Sequence, residues 1–330
     1  MVEASISGIL SEREKVDSIV REVKKIILGQ DELIGKILIA LFAGGHVLLE
    51  GVPGLAKTLL ISAIGKTIGG TFRRIQMVPD MMPSDLVGTY IYASGRFEAE
   101  RGPVIGAHIV LVDEINRAPA KTQAALLQAM QERQVTIMGK ETFELQDPFM
   151  VLATQNPIER EGTYPLPEAQ LDRFLFKLVV DYPSREEEIQ ILENAHLDQR
   201  NQIEAVQNVI TPEDIVALRE EIRRVVQVGR PAHAYMVDLC RATRHPADYG
   251  LGELGEKIRI GASPRGILAL RDAARVYSFI KGRRHVYPQD IQAIAKEVLR
   301  HRILLEYTAE MEGIRADDVI QMILSGVSVP

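Results

Sequence analysis

The chain reads as an α/β protein with a doubly wound parallel-sheet core, followed by a smaller all-helical lid domain. Three observations point there. Apolar, β-branched runs recur at His46–Glu50, Ala107–Asp113 and Pro148–Thr154. Helical signals alternate with them to about Val180, as a parallel sheet with crossover helices requires. After Pro183 the strand signals end and amphipathic helices take over.

Val16 to Ala43 is helical in pattern, with a break at Leu28-Gly29-Gln30-Asp31-Glu32 that could place backbone near a bound base. Gly44 caps that helix, and a strand runs from His46 into Gly51-Val52-Pro53-Gly54-Leu55-Ala56-Lys57-Thr58. A Gly-rich loop between a strand and a helix turns its N–H groups onto polyphosphate. Lys57 then reaches the β/γ-phosphates, and the Thr58 hydroxyl is a ligand for Mg²⁺. Ala56 stands where the motif G-x-x-x-x-G-K-[ST] has its last Gly, a small residue with helix-compatible dihedrals. An ordinary strand-turn-helix corner would explain Gly-Val-Pro-Gly but not Lys-Thr at this spacing.

Two hairpins are expected as insertions. Thr89–Tyr92 and Arg96–Glu100 join through Ala93-Ser94-Gly95 after a Met-rich approach. Gln134–Ile137 and Thr142–Leu145 flank Met138-Gly139-Lys140-Glu141 with period-2 alternation. Between them, Ile109-Val110-Leu111-Val112-Asp113-Glu114 has the form of a Walker B strand. Ligands bind at the carboxyl ends of parallel strands, so Asp113 would reach Mg²⁺ or its waters while Glu114 polarises the attacking water.

The third strand delivers Asn156, a neutral amide able to bind both a γ-phosphate oxygen and the lytic water. Arg173, in Leu171-Asp172-Arg173-Phe174, has two readings: a charge lent to a neighbouring subunit's phosphoryl group, or an ion pair with Asp172 or a nearby Glu. Ser263 as N-cap and Pro264 at the first helical position place Arg265 in a first turn, where a cation opposes the helix dipole and calls for an anionic partner.

In the second domain Ser184-Arg185-Glu186-Glu187-Glu188, Thr211-Pro212-Glu213-Asp214 and Pro288-Gln289-Asp290 each have the form of a helix start. The basic run Lys281-Gly282-Arg283-Arg284-His285 sits at a helix end and reads as dipole complement rather than a nucleic-acid patch.

Composition bounds the function. The 330 residues are 46% hydrophobic and 25% charged, enough for a full core and roughly two domains. A net charge of −6 gives no electrostatic footprint for nucleic acid. The single cysteine, Cys240, lies on an apolar helical pattern and reads as a core residue. The seven histidines have no zinc-like spacing. The start lacks a secretory signal, and the apolar stretch from Ile37 to Leu49 is too short to span a bilayer, so a cytoplasmic protein is expected.

The ordered series of motifs, from Gly51-Val52-Pro53-Gly54-Leu55-Ala56-Lys57-Thr58 through Leu111–Ala118, Ala153-Thr154-Gln155-Asn156-Pro157, Leu171-Asp172-Arg173-Phe174 and Tyr182–Glu188 to Gly261–Gly266, resembles the MoxR branch of the AAA+ ATPases over about residues 20 to 325. The resemblance implies a nucleotide-binding core over 1–183 with hairpin inserts at about 76–106 and 131–146, and a linker helix with helical lid over 184–330. It implies Asn156 as sensor 1, Arg173 as arginine finger and Arg265 as sensor 2, with Glu114 catalytic. Mg-ATP would bind at Gly51, Val52, Pro53, Gly54, Leu55, Ala56, Lys57, Thr58 and Asp113, the metal falling to Thr58 and Asp113. It further implies a homo-oligomeric ring, a hexamer by analogy, remodelling a protein client, including proteins with a von Willebrand factor A domain. The inserts would face its pore, where Met side chains adapt to a protein substrate. A hairpin that simply covers the sheet is the other reading, above all for the second insert. The alternatives are a nucleic-acid-stimulated motor and an ATP-dependent scaffold with little turnover.

Overall fold

A computed structural model describes residues 2–27, 29–51, 57–93, 95–156, 162–182, 184–193 and 203–330. Contacts divide the chain into two compact units, one of residues 1–173 and 178–218, the other of 174–177 and 219–330.

The first unit opens on helices α1 (Val2–Val23) and α2 (Asp31–Ala43). The helical start thus lies well before Val16, ahead of the apolar pattern that reveals it. Gly44 ends α2 in the left-handed conformation at φ 76°, its N–H capping the Leu41 carbonyl. The sheet follows, built from β1 (Val47–Gly51), β2 (Phe72–Gln76), β5 (Ile109–Asp113), β8 (Met150–Gln155) and β9 (Phe176–Val180), in the order β2-β5-β8-β1-β9. The pairs β2–β5, β5–β8 and β8–β1 are parallel.

Central strands of such a sheet are covered on both faces, so they are apolar throughout instead of alternating. Leu48, Leu49, Val110, Leu111, Val151 and Leu152 are accordingly all fully buried. Edge strand β2 is mostly solvated: only Ile75 is buried, between exposed Arg74 and Gln76. Its charges hide it from a hydrophobicity reading.

Helix α3 (Lys57–Ile68) follows β1. The segment between β2 and β5 holds α4 (Pro83–Val87) and the antiparallel hairpin β3 (Gly88–Ala93) with β4 (Arg96–Arg101). Helix α5 (Ala120–Glu132) leads into the second hairpin, β6 (Gln134–Ile137) with β7 (Glu141–Glu144). Short α6 (Glu168–Leu171) precedes β9, and α7 (Arg185–Glu193) follows it. At α7 the capping expectation is met and exceeded. Ser184 and Glu187 exchange capping hydrogen bonds, and Glu187 Oε1 also accepts the Gln30 N–H at 3.2 Å, tying α7 to the break between α1 and α2. These hydrogen bonds, chiefly those from Ser184, hold the Glu187 carboxyl below its ordinary range.

The second unit packs helices Arg230–Ala242, Pro264–Ile280, Pro288–Leu299 and Ala316–Gly326 around Tyr235, Leu239, Leu270, Phe279 and Ile320. This helical lid also carries an antiparallel pair, β10 (Ile258–Ile260) with β11 (Leu304–Leu305), too short to leave a period-2 signal. Cys240 is fully buried, as expected, and desolvation pushes its thiol up to about 12.

The basic run needs a correction. Arg283 does not merely complement a helix end, because its guanidinium pairs with Asp290, a fully buried carboxylate that also accepts Ser278 Oγ at 2.7 Å and the Tyr287 N–H at 2.9 Å. Sequence spacing could not show that the next helix brings a buried acid to it.

Candidate nucleotide site at the carboxyl edge of the sheet

Register brings the strand ends together. Gln76 on β2 pairs with Asp113 on β5, Val112 with Ala153 on β8, and Glu50 on β1 with Gln155. The carboxyl ends of these four strands therefore form one edge, where ligands bind in open α/β sheets.

Of the phosphate loop, Val52, Pro53, Gly54, Leu55 and Ala56 lie outside the described residues. Its two ends are described. Gly51 is buried at the end of β1, where a Cβ would come 2.4 Å from the Val180 carbonyl, so only glycine fits between the strands. Lys57 opens α3 and donates to the Gly51 carbonyl at 2.7 Å. Its burial lowers the ammonium pKa, and the charge of Asp113 opposes that shift, so ammonium and carboxylate feel one another across the edge. Thr58, half-buried, stands beside it in the first turn.

Asp113 is buried, and each of its oxygens has a neighbour. Oδ2 accepts Arg74 Nε at 2.7 Å, and Oδ1 lies 3.4 Å from Thr154 Oγ1. Thr154 also accepts the Glu114 N–H at 2.9 Å. That bond helps hold Glu114 at φ 56°, a left-handed conformation unusual for a residue with a side chain. The Glu114 carboxylate turns toward Gln76, whose amide donates to Oε2 at 2.8 Å, and toward Arg117, whose Nε is 2.9 Å from the same oxygen. Asn156 follows β8 and is buried at the same edge.

Gly51, Lys57, Thr58, Asp113, Glu114 and Asn156 are thus gathered on one sheet edge. Arg173 lies in the first unit and donates to the Leu127 carbonyl at 3.4 Å and to Gln131 Oε1, both on α5. Those partners are neutral, unlike the carboxylate of the ion-pair reading. Arg265 is in the second unit, with the expected cap: its N–H donates to Ser263 Oγ at 3.1 Å.

Sequence reasoning missed Arg74, Gln76, Arg117 and Thr154 as members of this edge. Phe72-Arg73-Arg74-Ile75-Gln76 is too polar to read as a strand, so nothing marked its alternate side chains as pointing to the carboxylates. The one available signal was the apolar pair Phe72 and Ile75 bounded by Gly69-Gly70.

A parallel sheet with a phosphate-loop lysine, a strand-end Asp-Glu pair and a helical lid defines a AAA+ ATPase. Residues 46–176 match the family described as ATPase family associated with various cellular activities (AAA), and residues 255–323 match the AAA lid domain. The chain is 45% identical over 325 residues to chaperone MoxR1 of Mycobacterium tuberculosis, covering 98% of this chain and 84% of that protein. It is 35% identical to protein MoxR of Methylorubrum extorquens, with 94% of each covered. A solved structure of a candidate ATPase from Cytophaga hutchinsonii superposes with a TM-score of 0.91 at 43% identity, covering 100% of this chain and 99% of that one. The chain belongs to the MoxR family of AAA+ ATPases, a family of nucleotide-binding, ATP-hydrolysing chaperones. Among the described residues no helix is long and apolar enough to cross a membrane.

Proposed function

We propose that this chain is a Mg²⁺-dependent ATP hydrolase that works in the cytoplasm as a homo-oligomeric ring, a hexamer by analogy, and remodels a protein client. The observation that carries the reading is the single edge holding Lys57, Thr58, Asp113, Glu114 and Asn156. Gly51 to Ala56 and Lys57 cradle the phosphates. The hard oxygen donors of Thr58 and Asp113 fit Mg²⁺ and would hold it, and it would supply neutralisation of phosphate charge. Glu114 takes the proton of the attacking water, Asn156 orients that water against the γ-phosphate, and Arg265 binds phosphate from the lid. Arg173 acts on the neighbouring subunit, a role favoured by its neutral partners on α5, which it can leave without stranding a carboxylate.

Client binding falls to the two hairpins. They pack on one another, with Arg101 4.8 Å over the Phe143 ring, Lys140 5.1 Å over Tyr90, and Tyr90 donating to Glu141 at 3.2 Å. Tyr92, Phe97 and Met138 remain about two-thirds exposed at their tips. A cavity of about 330 Å³ between α4, α5 and β6 is lined by Val87, Ala129, Val135 and Met138. Exposed aromatic and Met side chains beside such a cavity suit apolar protein segments, a von Willebrand factor A domain protein among them.

The test is a Glu114→Gln variant, which should bind Mg-ATP, form rings and retain a client from lysate. Phosphate release stimulated by DNA or RNA, with no protein retained, would replace the client reading by a nucleic-acid motor. A single burst without steady turnover in the unmodified protein would replace it by a scaffold.

A further inference from the structure

Strand β2 presents two side chains to the carboxylate pair, and the chemistry proposed above uses neither. Arg74 and Gln76 are two residues apart and so share one face of the strand, while buried Ile75 faces the other way. Gln76 meets Glu114. Arg74 Nε donates to Asp113 Oδ2 at 2.7 Å, placing a full positive charge against the carboxylate assigned to Mg²⁺. The Asp113 side chain is 10% exposed and that of Arg74 is 53% exposed, so the pair sits at the mouth of the edge, with the guanidinium free to swing into water.

We propose that Arg74 is a built-in counter-ion that competes with Mg²⁺ for Asp113 and thereby sets how much magnesium the protein needs to bind nucleotide tightly. A guanidinium and a divalent cation repel, and one buried carboxylate cannot be fully shared between them. Part of the attraction Asp113 offers the metal is therefore spent in parting it from Arg74. An ion pair with one exposed member is worth up to about fivefold in an equilibrium constant, which bounds the effect. The Lys57 ammonium, also facing Asp113, cannot substitute, because it is anchored to the Gly51 carbonyl and serves the phosphates.

This inference rests on Asp113 being the metal-side carboxylate. The probe is a fluorescent ADP analogue, titrated onto the full-length protein in EDTA and in saturating Mg²⁺, and the quantity read is the ratio of the two dissociation constants. Arg74→Gln should enlarge the ratio by more than about twofold and up to about fivefold. Arg74→Lys, which keeps the charge, should stay within about twofold of the unmodified protein. Asp113→Asn should collapse the ratio toward one, and adding Arg74→Gln to it should change nothing further. A ratio unchanged or reduced in Arg74→Gln overturns the counter-ion, provided Asp113→Asn still abolishes the magnesium effect. A magnesium effect that survives Asp113→Asn overturns the assignment of Asp113 itself. Arg74 is half-exposed on an edge strand, so its removal should cost the folding equilibrium no more than the same fivefold or so. A loss of folding in Arg74→Gln not shared by Arg74→Lys would show the pair to be structural and would also overturn the proposal.

Discussion

At the scale of single residues, the strand-end carboxylates are separated by their neighbours rather than by their own chemistry. Asp113 is buried and paired with half-exposed Arg74, while Glu114 is partly exposed, twisted to a positive φ and held by Gln76 and Arg117. Thr154 makes that difference possible, since its one hydroxyl takes the Glu114 N–H and lies beside Asp113. If Glu114 is the base, Glu114→Gln should keep nucleotide affinity and lower steady-state phosphate release by about 10²-fold or more. Normal turnover in that variant would remove Glu114 from the mechanism. Lys57→Ala removes the one ammonium of the phosphate loop and should abolish binding of a fluorescent ATP analogue without moving the melting temperature. Retained affinity would relocate the site.

At the scale of elements, caps and buried charges decide which helices are indispensable to the second unit. Asp290 closes the start of helix Pro288–Leu299 through the Tyr287 N–H and neutralises Arg283. Asp290→Ala leaves orphaned donors and should destabilise the protein by about 3 kcal/mol, read as a lowered melting temperature. Surface-sized losses of a few tenths would show that water reaches the site.

The turn before β11 carries a pH dependence. His301 is buried with Arg302 Nη1 2.7 Å from its Nε2, and Arg302 in turn donates to the Phe174 carbonyl at 2.7 Å. Burial first, and the Arg302 charge second, hold the His301 pKa well below its ordinary value. The unfolded chain therefore binds a proton that the folded one refuses, so stability present above the unfolded value of about 6.5 is lost as the pH falls through it. Melting temperatures between pH 8 and 5 should fall on the acid side, less steeply in His301→Gln. Equal slopes would exonerate the histidine.

At the scale of the whole molecule, the question is whether one chain completes its own site. If Arg173 serves a neighbour, Lys57→Ala subunits can lend it to Arg173→Ala subunits, whose cradles are intact. Mixing the two inactive proteins should restore part of the ATPase activity, increasingly so at higher protein concentration, because the missing charge is worth on the order of 10³-fold in rate. Mixtures that exchange subunits yet stay as inactive as either parent would confine Arg173 to its own chain.

Much of this protein is settled by local chemistry. Gly44, Ser263 and Thr211 end or start helices through hydrogen bonds made within a few residues, so their roles are legible in the sequence. The central strands β1, β5 and β8 are legible for a related reason: burial on both faces demands an unbroken apolar run. The hairpins announce themselves by turn residues at Gly95 and Gly139, the second also by period-2 alternation. Whatever depends on partners distant in sequence was decided only by the tertiary structure. Edge strand β2, half solvated and rich in charge, carries no pattern of its own. Only its pairing with β5 turns Arg74 and Gln76 toward Asp113 and Glu114. Likewise Arg283 looks like any basic helix end until packing sets a buried Asp290 beside it. Sequence alone determined the class of chemistry, because each motif is a short contiguous run whose residue types and order can be read directly. The fold decided which charges oppose each other, since Coulomb's law acts on distance in space, and strand order sets that distance.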